Sequence, residues 1–531
     1  MKERARENHE DKKNADISNP EVQRERLFAQ EPKIMEAVSL LAARLKALPL
    51  DPEHPELEPR ALLVGGFVRD ALVDVKPKDA DVEVYGVMPE RLEKLLQQYF
   101  PGKVNRVGQR FEVLNVAVEE GITFDVSIPR RDSKTGKGHG GFTVTGDPSM
   151  SIEDAARRRD FTFNALAADP LTGEVFDYFN GIEDLKKRVL RMTDAKSFPE
   201  DHLRVYRGVQ FTARLNLTVD PETFALMKSM VPEEEMTLIK PDSITKEWEK
   251  LLLKSDEPSR GLELARELGI IERFYPELHA LIGTQQEQEW HPEGDVWIHT
   301  MKVADAAAKI IRREGFAETE ALQTMVGAIG HDLGKPPTTK FENGRWRSLA
   351  HEEAGREPVR AMLSRHTFGE DVVHAAETIA AEHLKPGMLY ASLMKGDKTS
   401  GAMTEKSYTN AVRKLLRRIH PLSWRVLVAA SEADSRGRGN AIGWDEPYAA
   451  GARFAAAVEQ NQLGTDPVGK LVRGEDILSI AKEEDVKIKP GKIFGTLITA
   501  VEAARDAGTV TTKEEGLALL RQLFLEAMRE K

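Results

Sequence analysis

The stretch that decides the fold is residues 61–85, ALLVGGFVRDALVDVKPKDADVEVY. Its first apolar run ends in Gly65 and Gly66, and its second β-rich run carries Asp79 and Asp81. Residues two apart on a strand point to the same face, and a glycine turn lets backbone N–H groups approach a phosphate. A D-x-D pair alone is typical of a solvated strand face. Beside GG-x-x-RD, the pair instead predicts a Mg²⁺ site for phosphate chemistry.

Length and composition limit the class of protein. A chain of 531 residues predicts about three or four domains. The absence of cysteine excludes disulfides, thiol catalysis and thiolate zinc sites. With neither a long apolar run nor a secretory signal, we expect a cytoplasmic protein without a membrane partner. The net charge of −11 argues against indiscriminate nucleic-acid binding but leaves room for a local basic groove.

The patterning predicts an α+β fold in five parts. Short β-rich runs alternate with helical segments as far as about residue 170, and the remainder is almost entirely helical in pattern. The expected parts are a mobile charged tail at 1–30, a small head with a mixed sheet and helices at 31–168, a helical neck at 169–275, a histidine-rich domain at 276–440 and a helical tail at 441–531.

Two further motifs of the head carry candidate site residues. Asp125, in FDVSI, would add a third carboxylate on a neighbouring strand, or is an ordinary strand-edge residue. RRRDFTFNALA, residues 157–167, supplies Arg158, Arg159, Asp160 and Asn164. On a helix the last two share a face. The arginines suit phosphate oxygens, although a capped basic helix start has the same pattern. The Gly- and Lys-rich loop at 130–142 either folds over a ligand or only connects a hairpin.

EDHLR, residues 200–204, places Asp201 and Arg204 three apart, and hence on one face of a predicted helix. An acceptor beside a donor matches the hydrogen-bonding edges of cytosine and adenine, and it mismatches those of guanine and uracil. A mismatch would leave buried polar groups unsatisfied at about 1–3 kcal/mol each. In isolation the same motif is an exposed ion pair of less than about 1 kcal/mol.

These motifs resemble those of the class II tRNA nucleotidyltransferase and bacterial poly(A) polymerase superfamily. The resemblance lies in GGFVRD, DAD and RRRDFTFNA, and it continues through residues 169–191 and 200–215. It implies a pol-β-like head, tRNA, CTP and ATP as partners, and Mg²⁺ held by the catalytic acids Asp79, Asp81 and Asp125. The nucleotide-binding residues that it implies are Gly65, Gly66, Arg69, Asp70, Arg158, Arg159, Asp160, Asn164, Asp201 and Arg204. A later family motif is degraded in PDSITKEWEKLLL, where Asp242 and Glu247 stand for its acids and Ser243 replaces its arginine.

A second constellation, of the form H…HD…D, consists of His299, His331, Asp332 and Asp434. It resembles the metal site of the HD superfamily of metal-dependent phosphohydrolases. Imidazole with carboxylate suits a transition metal such as Ni²⁺, Mn²⁺ or Co²⁺ better than Mg²⁺. The further candidates for this site, either as ligands of a second metal or as residues supporting the ligands, are His291, His351 and His383. Some HD domains in this setting act only as a scaffold.

A local excess of basic residues predicts an RNA-binding track. Residues 384–425 hold nine Lys or Arg against two acids. The candidates for contacts with RNA phosphates are Lys385, Arg413, Lys414, Arg417 and Arg418. The alternative is a solvated basic helix.

The leading hypothesis is completion of the tRNA 3′ CCA end, with an appended phosphohydrolase. A poly(A) polymerase, or an enzyme that adds only CC or only A, is the first alternative, because Arg110 before Phe111 is a feature of the poly(A) branch. The second alternative is a phosphohydrolase or RNA-binding protein with an inactive head. The sequence leaves the oligomeric state open.

Overall fold

The computed structural model describes residues 16–77, 79–107, 113–134, 142–395, 403–439, 442–461, 463, 471–486, 488–506, 509–510 and 512–529. The chain forms two compact units. One comprises Met1–Leu251 and Arg260–Ile270, and the other comprises Leu252–Ser259 and Ile271–Lys531. Among the described residues, no helix combines the length and the apolar character needed to cross a membrane. The predicted division into five parts stays a prediction.

The first unit is built on a mixed seven-stranded sheet of order β3-β4-β5-β2-β1-β8-β9. Its strands are β1 (Arg60–Val64), β2 (Ala80–Tyr85), β3 (Val104–Val107), β4 (Val113–Glu119), β5 (Ile122–Ser127), β8 (Ala167–Ala168) and β9 (Val175–Phe176). Only the β2–β5 pair is parallel, and the other neighbours are antiparallel. The predicted mixed sheet is therefore confirmed. The loop expected at 130–142 is partly a hairpin, because β6 (Arg130–Lys134) pairs with β7 (Phe142–Gly146), while residues 135–141 lie outside the described chain.

The helices of the first unit cover the sheet and form the neck. They are α1 (Pro20–Phe28), α2 (Pro32–Lys46), α3 (Gly66–Leu72), α4 (Pro89–Tyr99), α5 (Ile152–Arg157), α6 (Gly181–Lys187), α7 (Leu203–Arg214), α8 (Pro221–Met230), α9 (Pro241–Lys254) and α10 (Ser259–Leu268). A short parallel pair, β10 (Val189–Leu190) with β11 (Thr218–Val219), interrupts the predicted all-helical neck.

The mobile tail predicted at 1–30 is wrong for its second half. Residues 1–15 lie outside the described chain, but α1 packs against α3. Leu27 is fully buried, and the Arg26 guanidinium donates to the Leu72 carbonyl. One well-placed leucine and an N-cap, Asn19, order a segment whose average composition is polar. Composition alone missed this, because burial depends on individual side chains.

The second unit is a helical body followed by three C-terminal helices. Its helices are α11 (Ile270–Phe274), α12 (Pro276–His279), α13 (Val296–Glu314), α14 (Glu318–Gly330), α15 (Lys335–Thr338), α16 (His351–Ala354), α17 (Arg356–Leu363), α18 (Glu370–Glu382), α19 (Lys385–Met394), α20 (Glu405–Ile419), α21 (Trp424–Gly437), α22 (Ala449–Gln460), α23 (Gly474–Glu483), α24 (Lys492–Asp506) and α25 (Lys513–Arg529). Helix α13 packs on α14 and α21, and α14 packs on α18. One hairpin, β12 (Thr339–Glu342) with β13 (Arg345–Ser348), extends from this body.

Candidate functional site

The predicted carboxylates of the head meet at the parallel β2–β5 pair. Asp81 is the register partner of Asp125, and Asp79 lies one residue before β2. The Asn115 side chain, on β4, donates from Nδ2 to Oδ1 of Asp125 at 2.7 Å. The sheet therefore brings the acids of two strands together on one face, as hard oxygen ligands for a divalent cation require.

The electrostatics of this face favour a cation. Partial desolvation raises the pKa of Asp81, and the charges of Asp125, Glu83 and Asp79 raise it further, while Arg159 opposes them. Glu83, two residues after Asp81 on the same strand face, was missed in the sequence, although strand alternation could have identified it. A divalent ion would relieve the repulsion among these acids, so the residues present fit the expected metal.

The glycine turn lets an arginine lie beside these acids. Gly65 has φ +65°, and a Cβ there would come within 2.5 Å of Nη1 of Arg159. The Arg159 guanidinium donates from Nη2 to Oε1 of Glu83 at 2.9 Å. Desolvation lowers the pKa of Arg159, but Glu83 and Asp81 more than restore it, so this side chain keeps its positive charge at the turn.

A chain of polar contacts links most of the other predicted nucleotide-binding residues of the head. Arg69 donates from Nε to Asp70 at 2.6 Å and from Nη1 to Oδ1 of Asn164 at 2.5 Å. Asn164 donates from Nδ2 to Oδ1 of Asp160 at 2.9 Å, and Arg207 donates from Nε to Oδ2 of Asp160 at 2.6 Å. Arg69, Asp160 and Asn164 are all buried, so they organise the head from inside.

The helix predicted for Asp160 and Asn164 is wrong. Helix α5 ends at Arg157, and Thr162–Asn164 form a single 3₁₀ turn. The reason is local, since Oδ1 of Asp160 accepts the backbone N–H of Phe161 at 2.8 Å and so competes with helical hydrogen bonds. Burial raises the pKa of Asp160, but Arg207 and these hydrogen bonds outweigh it and hold the pKa below its ordinary value.

Asp201 and Arg204 do not share a helix face, contrary to the sequence prediction. Helix α7 begins at Leu203, and Oδ1 of Asp201 accepts the Leu203 N–H at 3.0 Å, so Asp201 lies just before the helix. Arg204 donates to the carbonyl oxygens of Ser197 and Arg158 at 2.7 and 2.6 Å. These contacts tie the EDHLR segment to the RRRD segment.

The altered family motif PDSITKEWEKLLL lies on α9, and one of its two acids is buried in the first unit. Glu247 is 4% exposed, pairs with Lys250 at 2.7 Å and lies 4.0 Å from the Arg207 guanidinium. Asp242 lies on the surface, where it pairs with Lys246 at 2.8 Å. Glu247 is therefore linked through Arg207 to Asp160, one of the residues predicted to bind nucleotide.

The second unit collects the predicted HD residues into one buried cluster. His299 lies on α13, His331 and Asp332 follow α14 directly, and Asp434 lies on α21. The Nε2 atom of His299 is 3.1 Å from Oδ1 of Asp434, and the Nε2 atom of His331 is 3.1 Å from Oδ2 of Asp332. All four are at most 4% exposed.

Backbone contacts fix how three imidazoles face this cluster. The Nδ1 atoms of His331, His351 and His383 lie 2.7, 2.8 and 2.9 Å from backbone carbonyl oxygens, which can only accept. Each Nδ1 therefore carries the proton, which leaves the lone pair of each Nε2 available to a metal. Burial lowers the pKa of His383 to about 3, so its imidazole is neutral as a ligand must be.

Several buried atoms of the cluster have no hydrogen-bond partner among the described residues. They are Nε2 of His331, Nε2 of His351 and both carboxylate oxygens of Asp332, although the Lys335 ammonium approaches Oδ2 to 2.7 Å. Unsatisfied buried polar atoms cost about 1–3 kcal/mol each. Inward-facing lone pairs on Nε2 of His331, Nε2 of His351 and Oδ1 of Asp332 are what a metal ion takes up, so the residues fit one.

Asp332 belongs to two candidate ligand groups. One is His299, His331 and Asp332, the other is Asp332, His351 and His383, and within each group the ligand atoms lie within 4.8 Å of one another. Burial raises the pKa of Asp332, but the basic groups around it, the Lys335 ammonium among them, outweigh burial and hold the pKa well below its usual value. An ionised carboxylate between two sets of imidazoles suits divalent metal ions.

Glu293 supports this cluster and was missed in the sequence. Its Oε1 lies 2.8 Å from Nδ1 of His299 and 2.9 Å from Nδ1 of His291, and the Gly439 N–H donates to its Oε2 at 2.8 Å. The carboxylate orients His299 with Nε2 toward Asp434. His291 is therefore linked to the cluster only through Glu293 in these contacts. The sequence signal for Glu293 was its position two residues after His291, in the stretch HPE.

The basic segment at 384–425 is only partly available to a partner. Arg413 donates to the Asn410 side chain at 2.8 Å and to the Arg505 carbonyl at 3.2 Å. Arg418 makes a bidentate pair with Glu382, next to His383. Lys414 is exposed, whereas Lys385 and Arg417 are half-buried. The sequence counted charge but not the internal partners that neutralise it.

Three family models match separate parts of the chain. They are the Poly A polymerase head domain at residues 61–191, the "Probable RNA and SrmB- binding site of polymerase A" at 216–282, and the HD domain at 296–419. The RNA-binding match therefore covers the neck and not the basic segment. Asp434 lies beyond the HD match and joins the cluster only through the packing of α21.

The chain is also similar to named proteins and solved structures. It is 33% identical over 453 residues to the "Multifunctional CCA protein" of Methylobacillus flagellatus, covering 84% of this chain and 97% of that protein. It is 37% identical over 328 residues to the protein of the same name from Xanthomonas campestris pv. campestris, covering 61% and 74%.

Among solved structures, the Bacillus stearothermophilus CCA-adding enzyme in complex with CTP has a TM-score of 0.58 at 20% identity, over 95% of this chain and 99% of that one. The Thermotoga maritima CCA-adding enzyme complexed with tRNA has a TM-score of 0.55 at 18% identity, over 96% and 99%. At this level of sequence identity, the similarity to these structures shows the fold alone. Together with relatives a third identical over most of their length, they lead to one conclusion: the chain belongs to the multifunctional CCA protein family.

Proposed function

We propose that this protein completes the 3′ CCA end of tRNA by adding CMP and AMP from CTP and ATP, and that its HD domain is a metal-dependent phosphohydrolase. The single observation that carries the first activity is the register of Asp81 with Asp125, beside Asp79 and the glycine turn. Family membership supports the substrates.

In the head, Asp79, Asp81 and Asp125 hold Mg²⁺. When bound there, the ion would supply activation of the RNA 3′-hydroxyl and charge stabilisation for the pyrophosphate that leaves as that hydroxyl attacks the α-phosphate. Gly65 and Gly66 keep the turn open. Arg159 holds a positive charge next to the acids, where it attracts triphosphate oxygens. The other residues of this nucleotide site are Arg69, Asp70, Arg158, Asp160 and Asn164.

Base selection belongs to Asp201 and Arg204. Oδ1 of Asp201 accepts the Leu203 N–H, which fixes the carboxylate just before α7, and we assign this carboxylate as the acceptor for the exocyclic amino group of cytosine or adenine. Arg204 is held by two carbonyl oxygens and supplies the neighbouring donor. Uracil and guanine present a carbonyl toward the carboxylate and are repelled.

In the HD domain, His299, His331, Asp332 and Asp434 hold a transition metal such as Ni²⁺, Mn²⁺ or Co²⁺, and His351 with His383 extends the set around Asp332. A metal held by these residues would supply a water activated for attack on a phosphate ester. In such a hydrolysis, the P–O bond to ribose would be replaced by a P–O bond from water, and the released ribose oxygen would take a proton. The unsatisfied Nε2 and carboxylate atoms support this assignment.

Two alternatives remain to be excluded by experiment. One is a poly(A) polymerase or a partial CC- or A-adding enzyme, and Arg110, which is a feature of the poly(A) branch, lies outside the described residues. An inactive head is disfavoured by the intact cluster of acids.

The discriminating experiment uses tRNAs that end in the discriminator base, in C and in CC, each incubated with single nucleoside triphosphates. Sequencing of the products should show two C and one A, in that order. Long A tracts would mean a poly(A) polymerase, and a block after CC would mean a partial enzyme.

A further inference from the structure

Glu83 extends the acidic face of β2 by one further position. It lies two residues after Asp81, and residues two apart on a strand share a face. The register partner of Asp81 on β5 is Asp125, whereas that of Glu83 is Ser127. The cross-strand pair at Asp81 therefore brings two acids together, and the pair at Glu83 contributes only one.

Both oxygens of the Glu83 carboxylate accept hydrogen bonds from the protein. Oε1 accepts from Nη2 of Arg159 at 2.9 Å, and Oε2 accepts from the Tyr85 hydroxyl at 2.9 Å. Tyr85 is itself buried, so its hydroxyl holds the carboxylate from inside the head. With one oxygen on each neighbour, the carboxylate keeps a single orientation and presents its charge to Arg159.

The guanidinium that Glu83 holds lies over the glycine turn. Nη1 of Arg159 fills space next to Gly65 that a Cβ there would enter, to within 2.5 Å of the nitrogen. The side chains of Arg159 and Glu83 are only 24% and 15% exposed, so solvent screens this ion pair incompletely. An arginine loses rotamer freedom when a ligand fixes it, and a partner that fixes it beforehand removes that cost from binding.

We propose that Glu83 is a positioning residue for the triphosphate of the incoming nucleotide and that it acts through Arg159. The inference rests on the proposed nucleotidyl transfer and adds a residue to its substrate site. Glu83 holds Nη2 of Arg159, and Nη1 at the turn meets the phosphate oxygens. Glu83 also keeps the guanidinium from Asp81, whose charge attracts it as well. Because Arg159 contacts phosphate and not the base, the contribution of Glu83 is equal for CTP and ATP.

The test is steady-state kinetics of the full-length protein, with CTP on a tRNA that ends in C and with ATP on a tRNA that ends in CC. Glu83→Gln keeps the side-chain shape and an oxygen for Arg159 but removes the charge that strengthens the pair. KM should rise about fivefold for both nucleotides, while kcat and KM for tRNA stay within about twofold. Inhibition by pyrophosphate, which has no base, should weaken by the same factor.

Two further single variants complete the series. Tyr85→Phe frees Oε2 of Glu83, so it should raise KM for both nucleotides in the same direction by a smaller factor. Glu93→Gln is the matched control, because Glu93 on α4 accepts from Nε of Arg106 at 2.9 Å in an exposed pair elsewhere in the head. It should leave KM and kcat unchanged.

A double variant decides whether Glu83 acts through Arg159. In an Arg159→Gln background, Glu83→Gln should cause no further rise in KM, since the partner is already lost. Additive losses would overturn the proposal. So would an unchanged KM in the single variant. A lower kcat with a higher Mg²⁺ requirement at unchanged KM would also overturn it, because Glu83 would then be a metal ligand.

A separate measurement distinguishes failure of this inference from failure of the proposed function. If the wild type adds neither CMP nor AMP, the proposed function fails. Calorimetric titration of the full-length protein with pyrophosphate then tests Glu83 alone. Binding about fivefold weaker in Glu83→Gln than in the wild type supports the positioning role, and equal binding refutes it.

Discussion

The imidazole of His299 and the carboxylate of Asp434 lie 135 positions apart in the sequence, and their Nε2 and Oδ1 atoms meet at 3.1 Å. Helices α13 and α21 pack along each other and make this contact. Burial raises the pKa of Asp434, but Arg438 and His299 outweigh it and keep the carboxylate ionised. The pair joins the start of the HD region to a residue beyond the matched HD model.

The first prediction concerns the HD metal. His331→Ala or Asp332→Ala should reduce bound transition metal to less than about a tenth of the wild-type content, because each variant removes a ligand from a buried group. CMP addition should continue. Metal analysis of purified protein together with a tRNA extension assay checks both statements, and His279→Ala, an exposed histidine of the same unit, is the control. A folded variant that loses both its bound metal and CMP addition would contradict the prediction that the two sites are separate.

The second prediction concerns the acids of the head. Each of the variants Asp81→Asn and Asp125→Asn keeps the side-chain volume but removes one negative charge from this cross-strand pair of β2 and β5. Each should lower CMP and AMP incorporation to below about a hundredth of wild type while tRNA binding is kept. Glu119→Gln, at the far end of β4, should remain active. Incorporation near the wild-type rate in either variant would mean that other residues hold the metal.

The third prediction separates base selection from a structural role of Asp201. Asp201→Asn retains an oxygen for the Leu203 N–H and replaces Oδ2 with a donor. If residue 201 selects the base, the new donor favours the carbonyl groups of UTP and GTP. The incorporation efficiency of UTP and GTP relative to CTP and ATP should then rise by about ten- to hundredfold. Single-turnover incorporation of all four nucleotides measures this shift. Equal slowing of all four would show that Asp201 only shapes the chain before α7.

The fourth prediction concerns the pH dependence of stability. His366 stacks on Tyr275 and Phe368, and burial, with Arg365 nearby, lowers its pKa from 6.5 to about 4. Between these values the unfolded chain binds a proton that the folded chain does not, so stability falls as pH drops below about 6.5. At pH 5 the loss from this group is about 2 kcal/mol.

His366→Phe keeps the stacking and removes this titration. The difference in free energy of unfolding between pH 7 and pH 5, from urea titrations, should therefore be smaller in the variant by about 2 kcal/mol. Equal pH dependence in variant and wild type would mean that His366 is not held neutral by the fold.

The fifth prediction concerns RNA binding by the basic segment. Lys414→Glu reverses an exposed charge and should weaken tRNA binding, lowering the salt slope by about one for a lost phosphate contact. Affinity measured over a range of salt concentrations gives this slope. Lys228→Glu, on α8 within the RNA-binding family match, is the comparison, and a larger effect there would place the RNA track on the neck.

The sequence by itself predicted which residue types form the two candidate sites. D-x-D after a glycine turn predicted Asp79 and Asp81 as metal ligands, because strand periodicity and ligand type are local properties. The H…HD…D pattern likewise identified ligand types, and composition excluded thiol chemistry.

Only the tertiary structure decided which residues meet and what each is free to do. Asp125 reaches Asp81 through strand pairing, Glu293 reaches His299 through a folded loop, and Arg418 is taken up by Glu382. Local hydrogen bonds of Asp160 and Asp201 replaced the helices that spacing predicted. These outcomes depend on contacts between distant segments and on competition among hydrogen bonds, which a one-dimensional pattern does not contain.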